Sequence, residues 1–368
     1  MPARVLRVLY DDSLAQNPAG TGTVARGLLG ALQRTDGVEI VVSEFGRASV
    51  ASIDVGRKTP ARRALNAVAH LRYFGVELPA RARKAGCDVI FSPSSLGPLR
   101  GTTPAVITIH DLSPLRYAST FDVVNRTYLQ GMLRWQLRRS AAISTGTQAV
   151  RGELLERFRR LRPDRVYVVP DAPDPALLGA TPTAVAGIDG EFFLMVGTIE
   201  PRKNHVTAIR AFAEYLSRQP ETKISLVIAG SPGWLYQPVL DTIRSLGLES
   251  RVLRLGRVDE GRLHWLYRHA RALLFPSLYE GFGIPPLEAF ALSCPVIASR
   301  IPAVVEVAGD ATATLLEPDD VPGWARALAA AASSPPDADR MARARERARQ
   351  YTWEVSAQTL RDALLAAI

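Results

Sequence analysis

Apolar residues in this chain come in short unbroken runs rich in Val, Ile and Leu. Longer stretches separate them, in which apolar positions return every three or four residues. The first pattern predicts strands buried on both faces, and the second predicts the helices that cover them. In the first half, strands are expected at Val5–Tyr10, Val38–Val42, Asp88–Phe91, Ala105–Ile109, Ala141–Ser144 and Arg165–Val169. Helices are expected at Thr23–Gln33, Pro60–Lys84 and Gln148–Arg160. The rhythm then repeats, with strands at Phe192–Val196, Ile224–Ala229, Val252–Leu255, Ala272–Phe275, Val296–Ala298 and Thr312–Leu315. Beyond Ser333-Ser334-Pro335-Pro336, Asp337–Arg349 predicts a basic helix and Thr352–Ile368 a final amphipathic one. From Pro170-Asp171-Ala172-Pro173-Asp174-Pro175 to Gly190 the periodicity lapses, which predicts a linker. The fold class implied is α/β: two Rossmann-like doubly wound domains, 1–175 and 190–350, followed by a helix at 351–368.

Composition narrows the classes. No apolar run approaches the ~18 residues needed to span a bilayer. The first residues lack the apolar core of a signal peptide, so a cytoplasmic protein is expected. Cys87 and Cys294 stand alone, which excludes a disulfide framework and a structural zinc site. Charge is distributed unevenly. Residues 1–170 hold 25 Lys+Arg and 13 Asp+Glu, a net of +12, and the remainder hold 20 and 23, a net of −3, together the +9 of the whole chain. That asymmetry suggests an anionic surface meeting the first half. The alternative is a solvated basic face in a chain that writes 41 Arg against 4 Lys.

In parallel α/β sheets ligands bind beyond the carboxyl ends of strands, so loops directly after strands are where chemistry is sought. The stretch Pro276-Ser277-Leu278-Tyr279-Glu280-Gly281-Phe282-Gly283-Ile284-Pro285-Pro286-Leu287-Glu288 leaves one strand and enters a helix. Backbone amides at such a turn hold anions, whereas Glu280 and Glu288 suit the hydroxyls of a sugar or ribose. After an earlier strand, Gly197-Thr198-Ile199-Glu200-Pro201-Arg202-Lys203-Asn204-His205 brings two permanent cations.

Glu280-x7-Glu288 resembles the EX7E signature of the retaining GT-B glycosyltransferases of glycosyltransferase family 4, and the likeness is strongest over residues 194–310. The resemblance implies a GT-B architecture, with the two domains facing across a cleft, the first on the acceptor side and the second binding a nucleotide sugar. It also implies that the last helix, with Trp353 and Glu354, returns to the first domain. By the same resemblance Arg202 and Lys203 grip the donor diphosphate, Glu280 contacts the transferred sugar and Glu288 the ribose. Gly20-Thr21-Gly22, read as a loop before a helix starting at Thr23, resembles the glycine-rich loop that approaches the donor phosphate. His110, ending the strand Ala105–Ile109, corresponds to a group near the anomeric region. Gly256-Arg257-Val258 stands where the nucleobase is held, and the amides of Phe282, Gly283 and Ile284 face the phosphates.

The expected activity is a retaining, metal-independent hexosyl transfer, with GDP-mannose as first donor and a UDP- or dTDP-sugar second. The acceptor is expected to be a glycan, lipid-linked or small-molecule hydroxyl in cell-surface polysaccharide synthesis. The departing phosphate takes the acceptor proton, so the protein supplies positioning and charge. No cofactor is expected; Asp11-Asp12 is the only acid pair at a strand end that resembles a metal site. Peripheral contact with an anionic membrane is expected through a helix at Pro60–Lys84, with Leu65, Val68, Ala69 and Tyr73 on one face and Arg62, Arg63 and Arg72 around it. Two alternatives stand beside this reading: a GT-B-fold nucleotide-sugar epimerase, and a basic nucleic-acid-binding protein. Against the second, no zinc finger, helix-turn-helix or aromatic-rich RNA motif is present, so no nucleic-acid partner is expected.

Overall fold

A computed structural model describes residues 5–17, 19–45, 68–116 and 123–368. Its described residues form two compact units, one holding residues up to Asp171 together with Thr352–Ile368, the other Ala172–Tyr351.

The first unit contains a six-stranded parallel sheet: β1 (Leu6–Tyr10), β2 (Val38–Val42), β3 (Val89–Ser92), β4 (Ala105–Ile109), β5 (Ala142–Thr145) and β6 (Val166–Val168). Their order is β2-β1-β3-β4-β5-β6. The second unit repeats the plan with β7 (Phe192–Val196), β8 (Ser225–Ala229), β9 (Val252–Gly256), β10 (Ala272–Phe275), β11 (Val296–Ser299) and β12 (Thr314–Leu316). Here the order is β12-β11-β10-β7-β8-β9. Each expected strand is present within two residues of its expected ends. The unbroken apolar runs arise because both sheet faces are covered. In β7, Phe192 and Leu194 enter one core with Leu287, Phe290 and Met341, while Phe193 and Met195 enter the other with Ile209, Phe212 and Trp324. This period of two sends consecutive apolar residues to opposite faces. Fully burying one such side chain is worth roughly 1.5–3 kcal/mol.

Strand order locates the places where a ligand can enter. The second sheet reverses direction between β7 and β10, and the first between β1 and β3. At such a switch point the loops after the two strands diverge and leave a crevice at their carboxyl ends.

Three local readings change. The helix expected from Thr23 begins at Gly20 and runs to Leu32, so Gly20 and Gly22 form its first turn rather than a loop before it. Gly22 is required there, because a Cβ would lie 1.7 Å from the Asn17 carbonyl oxygen. Within the expected linker, Pro175–Leu178 forms a helical turn capped by Asp174, and Val185 and Ile188 pack on the second unit's core. Of the expected helix Pro60–Lys84, Arg62, Arg63 and Leu65 lie outside the described residues, while 68–84 are helical with a π turn at Tyr73–Glu77. Tyr73 does not share a face with Val68. It is buried, whereas Val68 is 60% exposed alongside Leu71 and Val76.

The final helix, Trp353–Leu365, packs within the first unit. Trp353 fills the space beside Gly27, and Glu354 pairs with Arg34 at 2.8 Å. Among the described residues no helix is long and apolar enough to cross a membrane.

Candidate active site

The second unit's switch point brings together the two most informative segments of the sequence. Beyond β7, Pro201–Lys203 form a single 3-10 turn that Asn204 ends in the left-handed region, with φ 52°. Asn204 is anchored by its amide donating to the Pro318 carbonyl at 2.9 Å, and the helix His205–Arg218 follows. Beyond β10, Gly283 takes φ 108°, which only glycine adopts without strain, and releases the helix Ile284–Ala291 with proline in its first turn. The Leu278 amide donates to the Arg202 carbonyl at 2.8 Å, joining the two loops.

Side chains complete the junction. Arg202 donates to Glu280 at 2.7 Å, to the Tyr279 carbonyl at 2.9 Å and to Glu200 at 3.0 Å. Lys203 donates to the other Glu280 oxygen at 2.6 Å and lies 5.1 Å from the centre of the Phe275 ring. Burial alone would raise the Glu280 carboxyl, but Lys203 and Arg202 more than offset it and hold it at about 2. Glu280 is therefore a permanent carboxylate at neutral pH. Glu200, equally buried, is raised by desolvation against the pull of the same two cations. His205 is kept neutral, its pKa driven to about 3 by burial and by Lys203.

Glu288 is different. It lies on the helix Ile284–Ala291 and accepts from the Tyr267 hydroxyl at 2.9 Å. Burial lifts it to about 7, although Tyr267 and the Asp174 amide favour its charged form. Two glutamates eight residues apart thus occupy opposite electrostatic settings, one beside two cations and one beside a phenol.

Each Glu280 oxygen retains a lone pair after accepting one bond, so the carboxylate can still accept from a ligand hydroxyl. Lys203 uses one of its three N–H bonds on Glu280, whereas Arg202 spends most of its fork on protein acceptors. The other expected positions of the second unit are placed by the backbone. The Phe282 side chain is buried in the core, edge-on to Tyr351, so only the main chain of Phe282, Gly283 and Ile284 faces the turn. Val258 follows the end of β9 at Gly256 and is half-buried against the same core.

In the first unit, Gly20 and Gly22 start their helix as described. The half-buried His110 follows β4 with Nε2 2.9 Å from the Pro93 carbonyl oxygen. A carbonyl only accepts, so Nε2 carries the proton, and burial lowers the ring's pKa, leaving it neutral with Nδ1 as an acceptor. In the acid pair Asp11-Asp12, Asp11 accepts on Oδ1 from the Tyr73 hydroxyl at 2.8 Å and the Ser13 amide at 3.1 Å while its buried Oδ2 has no hydrogen-bond partner, and Asp12 accepts from Ser43 at 2.6 Å and the Phe45 amide at 2.8 Å.

Glu200 and Tyr267 join the site although local pattern gives neither a role. Glu200 lies in the segment Gly197–His205, where its charge beside Arg202 is the signal. Tyr267 reads as an ordinary core position of its helix, and only tertiary packing sets its hydroxyl against Glu288.

Residues 185–351 match the family "Glycosyl transferases group 1", and residues 18–177 match "Glycosyltransferase Family 4". Among curated proteins, "O-antigen chain mannosyltransferase B" of Escherichia coli is 28% identical over 224 residues, covering 59% of this chain and 58% of its own length. "D-inositol 3-phosphate glycosyltransferase" of Kineococcus radiotolerans is 34% identical over 235 residues, covering 58% and 54%. The chain therefore spans less than two thirds of the length of these relatives. Among solved structures, sucrose-phosphate synthase from Thermosynechococcus elongatus superposes with TM-score 0.76 at 20% identity, covering 99% of this chain and all of that one. Anabaena HepE, solved with UDP and glucose, gives TM-score 0.69 at 17% identity over 98% of this chain and 100% of its own. At these identities the structures show a shared fold.

Proposed function

The chain belongs to the family 4-like glycosyltransferases of GT-B fold, and from that premise we propose that it transfers a hexose from a nucleotide sugar to a hydroxyl, with retention at the anomeric carbon. GDP-mannose is the first donor to test, in keeping with the mannosyltransferases among its relatives. The acceptor is a glycan or lipid-linked hydroxyl, and the setting is polysaccharide biosynthesis.

One observation carries the reading: Arg202 and Lys203 converge on a buried, permanently ionised Glu280 at the switch point between β7 and β10. Cations at that place suit a leaving nucleoside diphosphate, and a carboxylate between them suits sugar hydroxyls. The roles divide by hydrogen-bond capacity. Arg202 holds Glu280, Glu200 and the loop carbonyl together, a positioning role. Lys203 keeps N–H bonds for phosphate oxygens and is the group that stabilises developing charge. Main-chain amides of Phe282, Gly283 and Ile284 assist at the phosphates; of the two first-unit glycines only Gly20 has an amide to offer, since that of Gly22 already donates to the Ala19 carbonyl at 2.8 Å. Glu288 receives the ribose hydroxyls, Val258 borders the base, and His110 contacts the sugar through Nδ1. The reaction needs no metal in this reading, since permanent cations neutralise the diphosphate. Peripheral contact with an anionic membrane belongs to the same proposal. Val68, Leu71 and Val76 stand exposed on the segment 68–84, with Arg72 among them.

The decisive experiment is a thermal-shift panel of GDP, UDP and dTDP, because a ligand bound only by the folded protein raises its melting temperature. Stabilisation by one of them is expected, and no response to any would sink the reading. NMR of the product made from the responding donor then reads the anomeric configuration; an inverted product, or turnover abolished by EDTA and restored by Mn²⁺, overturns the retaining or the metal-free part respectively.

A further inference from the structure

Among the described residues, the first unit holds a cluster of arginines that the proposed reaction does not use. A pocket of 640 Å³ in the first unit is lined by Arg134, Arg138, Arg157, Arg159, Arg160 and Arg165, with Glu156 as its one acid. Its floor is apolar: Leu137 and Leu161 belong to the buried core, and Phe158 packs against them. The volume is that of a small-molecule site.

Topology separates the pocket from the crest of its own sheet. Arg138 closes the helix Val123–Arg139, which feeds the amino end of β5. Arg159, Arg160 and Arg165 lie in the connection from the helix Gln148–Arg157 to the amino end of β6. In a parallel sheet those ends are opposite to the carboxyl ends that carry Asp11 and His110.

The arginines are not accounted for by local structure. Basic residues in a helix's last turn complement its dipole, which explains Arg138 and Arg157. It does not explain Arg134, a turn earlier, or Arg159 and Arg160, beyond the helix end. Arg165 is spent on the carbonyls of Ser140 and Ala141. Among the described residues, none of the other five has an ion-pair partner, although neighbouring Arg162 is paired with Asp164 and Arg116 with Glu153. Five guanidinium groups with no ion-pair partner among the described residues repel each other around one concavity, and a bound anion would relieve that repulsion. Each presents a fork that matches two phosphate oxygens.

We propose that this pocket binds a phosphate-bearing head group, its charge held by Arg134, Arg138, Arg157, Arg159 and Arg160 and its less polar part resting on Phe158. The ligand is either a soluble phosphorylated molecule or the head group of an anionic lipid, which share this chemistry. The concave shape and apolar floor favour a compact head group over the extended track of a nucleic acid. The site is independent of the donor loops and of the reaction assigned to them.

Residue-resolved labelling of the full chain with phenylglyoxal, read by peptide mass spectrometry, tests it. Inorganic pyrophosphate or vesicles containing phosphatidic acid should slow labelling of Arg138, Arg157 and Arg160 at least threefold. Exposed Arg268, in the other unit, should be unaffected, as should all sites with neutral phosphatidylcholine vesicles. Protection by pyrophosphate identifies a soluble ligand class, and protection by vesicles alone identifies a lipid. Arg138→Gln combined with Arg160→Gln should weaken the protecting ligand at least tenfold at the remaining arginines while leaving any nucleoside diphosphate thermal shift in place. No protection by either probe, equal slowing at Arg268, or unchanged binding by the double variant overturns the proposal. So does protection by duplex DNA extending to Arg81 and Arg83 where pyrophosphate gives none.

Discussion

The two sheets reverse direction at equivalent places, and the chemistry at the two switch points is opposite. Between β7 and β10, two cations and two glutamates meet with little solvent exposure. Between β1 and β3 no ion pair is seen among the described residues; Asp11 accepts on Oδ1 from the Tyr73 hydroxyl and the Ser13 amide while its buried Oδ2 has no hydrogen-bond partner, and Asp12 accepts from the Ser43 hydroxyl and the Phe45 amide. Yet the first unit is the basic one by composition. Among the described residues, a cluster of its arginines sits at the amino ends of β5 and β6. Net charge of a domain does not by itself say where its cations stand: the second unit, with no surplus, brings two of them to strand ends in a desolvated setting, where each is worth more.

The largest effects should come from removing a cation at the second switch point. Arg202→Met leaves Glu200 and Glu280 under-compensated in the interior, and breaking a buried pair costs about 3–5 kcal/mol. Urea unfolding of the variant should show this loss together with loss of nucleoside diphosphate binding. Lys203→Ala tests the division of roles, since it should lower turnover by about 10²–10³. Full turnover with only a raised KM would show that Lys203 does not act on the transition state.

Protonation sharpens the contrast within the second unit. Glu288 is raised from 4.5 to about 7 by burial. The folded protein then keeps a proton that the unfolded chain releases, so this group's contribution is complete below pH 4.5 and lost as pH rises through 7. Glu288→Gln should remove up to about 3 kcal/mol of that decline, measured as the difference in unfolding free energy between pH 5 and pH 8. An identical pH profile in variant and parent would refute the raised pKa. Because a ribose site needs the carboxylate, nucleoside diphosphate affinity in the parent should also weaken below pH 7.

In the first unit the equivalent break is milder. Tyr73→Phe deletes the hydroxyl shared by Asp11 and Ser43; Asp11 Oδ1 keeps the Ser13 amide, so the cost is that of one hydrogen bond to a charged group, about 1.5–3 kcal/mol. The nucleoside diphosphate thermal shift should persist, because the network serves the sheet crest and not the donor loops. The smallest effect separates the two helix-start glycines. A Cβ at Gly20 meets nothing within 4 Å, so Gly20→Ala should change stability by less than about 1 kcal/mol. Gly22→Ala must displace the Asn17 carbonyl and should cost clearly more; equal unfolding midpoints for the two would refute this packing.

All twelve strands, the repeated α/β plan and the helices at Gln148–Arg157 and Ala338–Arg349 were legible in the sequence, because strand and helix periods follow from backbone geometry within a few residues. The motif loops were legible for the same reason: Glu280, Glu288, Arg202 and Lys203 lie just beyond apolar runs. Local pattern did not reveal that Arg202 and Glu280, 78 residues apart, share a hydrogen bond. That depends on β7 and β10 being neighbours, which strand order alone decides. Tyr73 shows the same limit. Helical period placed it with Val68, but a π turn and the buried Asp11 drew it into the core. The arginine pocket is the clearest case, since no short window holds all six side chains. Packing of two helix ends against the amino ends of β5 and β6 assembles it.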